Sequence, residues 1–213
     1  MMHPGSKPAP APPAGNPLRE RLRAETARSI ISAAEKVFAA QGLRAAKMDD
    51  IAAEAGVSVG TVYNHFEDRE ALLNALLDTR RAELVAKLDA ALEEASGEPF
   101  PFLLERFTAT VLAHFESHRP FFSIVLEGEH QRFGATGKQN DAMLEVYKRV
   151  EHLMTRGLRK KALRPQGAEL WPALFMGAVR GAMIHSLSEK SPARPLGERA
   201  PDLVRFFLDG AGA

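Results

Sequence analysis

The sequence predicts an all-α protein on three observations. Apolar residues return at spacings of three and four along most of the chain. No hairpin dipeptide stands between alternating β-branched residues. Gly97, Pro99, Pro120, Gly134, Gly137, Pro165, Pro192 and Pro195 mark the gaps between periodic stretches, where helix breakers belong.

The elements follow in order. Six of the fourteen prolines lie in residues 1–17. With no apolar period to repay its ordering entropy, 1–16 reads as a disordered Pro/Ala-rich tail. Asn16 and Pro17 then look like a helix start, an acceptor for an orphan N–H followed by a residue that needs no donor there. Ile30, Ala34, Val37 and Phe38 share one face of that helix, and Gly42 can supply its left-handed stop. Residues 47–66, KMDDIAAEAGVSVGTVYNHF, read as two short helices around a tight turn. Met48, Ile51, Ala52 and Ala55 form the inner face of the first. Gly56 takes a positive φ, Val57 packs inward, and Ser58 caps the second helix. Val62 and Phe66 face the core, which leaves Val59, Gly60, Thr61, Tyr63, Asn64 and His65 largely outside. A polar and aromatic face of that size suits a DNA major groove, and it equally fits an ordinary helical hairpin. Further helices are predicted near 69–94, 101–117, 120–127, 139–162, 167–189 and 198–209.

Composition removes several functions. The longest apolar run, Trp171 to Val179, is less than half of the ~20 residues a membrane helix needs, so no membrane partner is expected. The absence of cysteine excludes disulfides, thiolate metal sites and a cysteine nucleophile, and with no signal-like start it points to a cytoplasmic protein. Lys and Arg total 28 against 27 Asp and Glu, so affinity for nucleic acid must come from placement. No G-x-S-x-G elbow, Walker loop or dinucleotide fingerprint occurs, and neither catalytic residues nor a cofactor are expected. His114 and His118 are four apart on a helix and could share a metal, yet they lack the H-E-x-x-H pattern and a third ligand nearby. No metal is expected.

The stretch from Thr26 through Ala34, Phe38 and Gly42 to IAAEAGVSVGTVYNHFEDREALL resembles the N-terminal DNA-binding domain of the TetR family of bacterial regulators. The resemblance implies a three-helix helix-turn-helix domain over 17–70 and a helical ligand-sensing and dimerisation domain over 71–213. It places the DNA contacts at Val59, Gly60, Thr61, Tyr63, Asn64 and His65, with Tyr63 and His65 on phosphates. Arg69 stands where a phosphate-binding lysine is usual. Lys47 departs from the pattern, because it replaces a Ser or Thr cap that lysine cannot provide, although a cation there could meet the DNA backbone. Residues 1–70 hold nine basic and nine acidic side chains. The acids Asp49, Asp50, Asp68 and Glu70 fall in first turns of helices, while Arg19, Arg21, Arg23 and Arg28 gather at the start of the first helix. That cluster fits either phosphate contact or a solvated surface.

Residues 100–133 hold seven of the twelve phenylalanines. They fit a dense core or the wall of an aromatic, mostly apolar pocket. The resemblance favours a pocket, for which Phe107, His114, Phe115, Phe122 and Glu127 are the candidate ligand-binding residues, with His118, Glu129 and Arg132 as further polar candidates. The implied effector is small and hydrophobic. Leu170, Ala173, Leu174, Gly177, Ala178, Gly181 and Ala182 give one helix a low-bulk apolar face, and Leu203, Phe206, Phe207 and Leu208 give the last helix another. These faces fit burial within one chain or a four-helix homodimer interface, and the resemblance implies the dimer. The expected function is a ligand-responsive repressor on double-stranded operator DNA. The rivals are a helical carrier or enzyme using the central cavity, and an architectural DNA-binding protein without an effector.

Overall fold

The computed structural model describes residues 17–130, 140–189 and 194–211, leaving out the side chains of 124, 126–130, 140–143 and 211. The expected tail over 1–16, Arg132 and Phe133, and the side chains of Glu127 and Glu129 lie outside the described residues. Nine α-helices run through the described residues: α1 Pro17–Gln41, α2 Met48–Ala55, α3 Val59–His65, α4 Arg69–Glu94, α5 Phe100–Ser117, α6 Arg119–His130, α7 Asn140–Arg159, α8 Trp171–Ser188 and α9 Ala200–Ala211. Short 3₁₀ turns, Ala168–Leu170 and Leu196–Arg199, lead into α8 and α9. None of these helices is long and apolar enough to cross a membrane.

Two apolar clusters organise the molecule. The first joins Ile30, Ala34 and Phe38 of α1 to Ile51 of α2, Val62 of α3, and Leu72 and Leu76 of α4. The second gathers Leu88 of α4 with the inner faces of α5, α7, α8 and α9. The cores therefore divide inside α4, a single helix that serves both. α6 bridges them as well. Phe121 is buried in the first cluster, and Phe122 packs against both.

Local chemistry sets the joints. Gly42, at φ +83°, donates its N–H to the Phe38 carbonyl and ends α1. Gly56, at φ +69°, turns the chain from α2 to α3. α7 ends at Arg159, short of the expected 162, because Lys161 takes a left-handed φ of 56° and the Ala162 N–H returns to the Gly157 carbonyl. α8 starts at Trp171, later than expected. Its Trp171-Pro172 opening fits proline's tolerance in a first turn, and the 3₁₀ turn supplies the lead-in. Gly157 has a packing role too: a Cβ there would come within 2.6 Å of the Phe100 ring, so α7 closes on α5 only with glycine at that place.

Candidate nucleic-acid interface and the junction behind it

The reading face is built by the cap and by one buried side chain. Ser58 Oγ accepts the Thr61 N–H at 3.1 Å, and the two hydroxyls lie 2.8 Å apart, which ties the Thr61 side chain to the start of α3. Val62 is fully buried and fixes the rotation of the helix. Tyr63, 52% exposed, and Asn64 consequently point outward. Gly60 is exposed, and a Cβ there would meet only Ser58 Oγ, at 3.8 Å, so internal packing does not demand glycine. Its lack of a side chain lets an external surface approach the backbone. Val59 is half-buried against the first core, and His65 is half-buried with its ring 6.2 Å from Phe66. Phe66, expected to face the core, packs half-buried against the first core and forms the C-cap of α3.

Lys47 is exposed at the N-cap of α2 and makes no side-chain cap bond, as a group with donors alone must. Arg69 has an intramolecular task as well. Its Nη1 donates to the Arg44 carbonyl at 2.7 Å and lies 3.4 Å from that of Ala46, pinning the start of α4 to the loop between α1 and α2. Nothing in the local sequence signals this bond. Asp68 Oδ1 accepts the Ala71 N–H at 2.7 Å, Asp49 and Asp50 lie in the first turn of α2, and Glu54 pairs with Lys36 at 2.8 Å. These acids are engaged at helix N-termini or by a cation, away from the outer face of α3. Arg19, Arg21, Arg23 and Arg28 are exposed on the leading turns of α1.

Behind the reading head, the described phenylalanines Phe107, Phe115 and Phe121 fill space in the cores. Phe107 and Phe115 are fully buried in the second core, and Phe122 stacks on Phe115 with centroids 5.7 Å apart. The concavity lies to one side, an open groove of about 370 Å³ between α4 and α5 lined by Lys87, Ala90, Ala91, Glu94, Thr110, Ala113, His114 and Ser117. Of the expected ligand contacts with described side chains, His114 borders it and Phe107, Phe115 and Phe122 do not. The walls of this groove are alanines and polar groups, whereas Phe107 and Phe115 pack inward.

His114 is 3% exposed, and neither ring nitrogen has a hydrogen-bond partner. Burial, aided by His118 and Lys87, pushes its pKa down to about 4, so the ring is neutral at pH 7. The His118 ring lies 4.9 Å away by centroid. His118 Nδ1 sits 2.7 Å from Glu35 Oε1 of α1, while Arg80 of α4 pairs with Glu35 and holds both oxygens of Glu83 at 2.7 and 2.9 Å. One polar cluster thus ties α1, α4 and the end of α5 together, next to the point where α6 inserts Phe121 into the first core. At the other end of this joint, the Arg119 guanidinium meets the Ser186 carbonyl at the end of α8.

The far side of the molecule carries apolar surface. Leu170 and Leu174 are each 53% exposed, Ile184 38% and Phe206 78%. Between them on α8, Ala173, Gly177 and Gly181 are exposed, and a Cβ at either glycine would meet nothing within 4 Å.

Residues 30–76 match the family described as bacterial regulatory proteins, tetR family. The HTH-type transcriptional regulator SrpR of Pseudomonas putida is 47% identical over 60 residues, 28% of each chain. The uncharacterized HTH-type regulator YhgD of Bacillus subtilis is 28% identical over 171 residues, 76% of this chain and 84% of that one. The chain spans only 28% to 45% of the length of SrpR and of two further regulators that it matches comparably. The structure of FadR from Bacillus subtilis, in complex with stearoyl-CoA, superposes with a TM-score of 0.73 at 17% identity, over 86% of this chain and 98% of that one, and shows the shared fold. The helix-turn-helix of residues 30–76 is thus matched in sequence to the TetR family of bacterial regulatory proteins, and the nine-helix architecture of the described residues is matched in fold.

Proposed function

We propose that this regulator is a repressor that binds operator DNA as a homodimer and is released by a small hydrophobic effector. The observation that carries the reading is the outer face of α3, where Gly60, Tyr63 and Asn64 stand free of the core on a helix capped by Ser58 and locked by Val62. Thr61 and Asn64 are placed to read base edges, with Tyr63, His65, Lys47 and Arg69 on the flanking phosphates and Val59 in apolar contact at the groove wall. Arg69 can do this while holding the loop, since a guanidinium has five N–H donors.

Two copies are needed to read two half-sites, and the exposed α8 and α9 faces supply a self-complementary surface. Gly177 and Gly181 allow close helix approach while Leu170, Leu174 and Phe206 fill the flanks. FadR of Bacillus subtilis holds stearoyl-CoA on this fold, which supports an effector with a large apolar part. In this chain such a part fits over Ala90, Ala91 and Ala113, with Lys87, Thr110 and Ser117 toward its polar end. His114 links that groove to the packed rings, 6.1 Å from Phe122 by centroid, so a ligand that moves it also moves Phe115 and Phe122, with Glu127 further along α6. Because α6 plugs Phe121 into the DNA-reading core, a shift there reorients the heads. DNA selected from a random pool by the full chain should be bound by Ala113→Phe as tightly as by wild type, while effector-driven release is lost. Release that persists in a folded Ala113→Phe dimer counts against the α4–α5 groove as the effector site.

A further inference from the structure

We propose that Glu83, His114 and His118 bind a divalent transition-metal ion of the zinc class at the joint between the DNA-reading and sensing cores. The three side chains come from different turns of two helices, and one ligand atom from each lies within 4.8 Å of the others. Two imidazoles and a carboxylate are the donor set of open zinc sites, in which three protein ligands leave a fourth position for water or a small molecule. Bonds of ~2.0–2.1 Å in tetrahedral array would draw the ligand atoms to ~3.3 Å of each other, within reach of small side-chain rotations.

The geometry favours an ion here over a merely packed histidine pair. His114 is buried and neither nitrogen has a hydrogen-bond partner in good geometry, with only the Arg80 carbonyl near enough to act on the ring, a state that proteins otherwise avoid. His118 is already oriented: Nδ1 faces the Glu35 carboxylate, which can only accept, so Nδ1 carries a proton and Nε2 is turned toward Glu83, 3.9 Å away. Carboxylate-to-histidine support of this kind accompanies metal-bound imidazoles. The charges do not oppose it, since Glu35 and Glu83 balance Arg80 and Lys87. Arg80 occupies one face of the Glu83 carboxylate, whose remaining lone pairs stay open to a cation. His114 also borders the groove, which would bring the fourth position to incoming ligands.

The sequence alone pointed away from this site, because His114-x-x-x-His118 has no third donor near it in the chain. Packing of α4 on α5 brings Glu83. The ion would fasten α4 to α5 and, through Glu35, both to α1. An effect on operator affinity rests on the proposed regulatory function, whereas metal binding itself does not.

Cobalt(II) provides the test. The full chain, stripped with chelator, is titrated with Co²⁺ at neutral pH and then back-titrated with Zn²⁺. We expect one equivalent per chain with the intense visible bands of a four-coordinate N/O site, bleached by zinc, and a melting temperature raised by Zn²⁺. Glu83→Gln alters a side chain that is 40% exposed, and His114→Phe replaces an unpaired ring with an apolar one, so both should fold. Each, with His118→Gln, should weaken Co²⁺ binding about tenfold or more, while His152→Gln and His185→Gln, at exposed positions elsewhere, bind as wild type. Wild type that shows no four-coordinate spectrum overturns the site, and so does a folded His114→Phe or Glu83→Gln chain that keeps wild-type Co²⁺ affinity.

Discussion

His114 should leave a signature in the pH dependence of stability. Its folded pKa of about 4 lies below the ordinary 6.5, so between those values the unfolded chain takes up a proton that the folded chain refuses. The stability it contributes is complete above pH 6.5 and is lost as pH falls toward 4, by roughly 3 kcal/mol at ~1.36 kcal/mol per pH unit. Denaturant melts in chelator should show His114→Phe gaining on wild type through that window, and parallel curves would refute the assignment. Tyr63 is the opposite case, an exposed ring whose loss should leave the fold and dimer intact. Tyr63→Ala should weaken specific DNA binding by ~1–3 kcal/mol, read by fluorescence anisotropy. The roles of Gly42, Gly56 and Ser58 were legible in the sequence because each is decided within a few residues. The Arg69 bond to the Arg44 carbonyl and the approach of Glu83 to His114 were not, since tertiary packing alone brings those atoms together.

Among the elements, α8 gives the sharpest prediction. A Cβ at Gly177 or Gly181 meets nothing within the chain, so the monomer fold should accept Gly177→Leu or Gly181→Leu, while the proposed close helix contact between copies should not. Sedimentation should show the dimer constant weakened by about tenfold or more with unchanged circular dichroism. Wild type that sediments as a monomer at micromolar concentration contradicts both this prediction and the reading of two half-sites. Helix identity was legible throughout, because apolar spacing survives whatever the helix packs against. Helix ends were less so: Lys161 closes α7 in a conformation usually left to glycine, and the start of α8 is set by a 3₁₀ turn. The phenylalanine cluster shows another limit. Composition counts the rings, but only packing tells whether Phe107 and Phe115 line a cavity or fill it.

At the scale of the whole molecule, the cores share α4 and are plugged together by Phe121 and Phe122 of α6, so neither can shift without the other. The sequence suggests a division after residue 70, where the helix-turn-helix motif ends, whereas α4 runs unbroken through the junction and gives Leu72 and Leu76 to the first core. If an effector and DNA compete through this joint, their coupling is reciprocal. An effector that lowers operator affinity by ~1–3 kcal/mol must itself bind the operator complex more weakly by the same factor, measurable by titrating the effector with and without saturating DNA. Everything regulatory rests on the claim that α3 reads DNA. The direct measurement is selection of duplexes from a random pool by the full wild-type chain, with Tyr63→Ala in parallel. The account predicts a recovered sequence with two inverted half-sites, bound by wild type with steep salt dependence and more weakly by Tyr63→Ala. No enriched sequence, or an enriched sequence bound equally well by folded Tyr63→Ala, would contradict it.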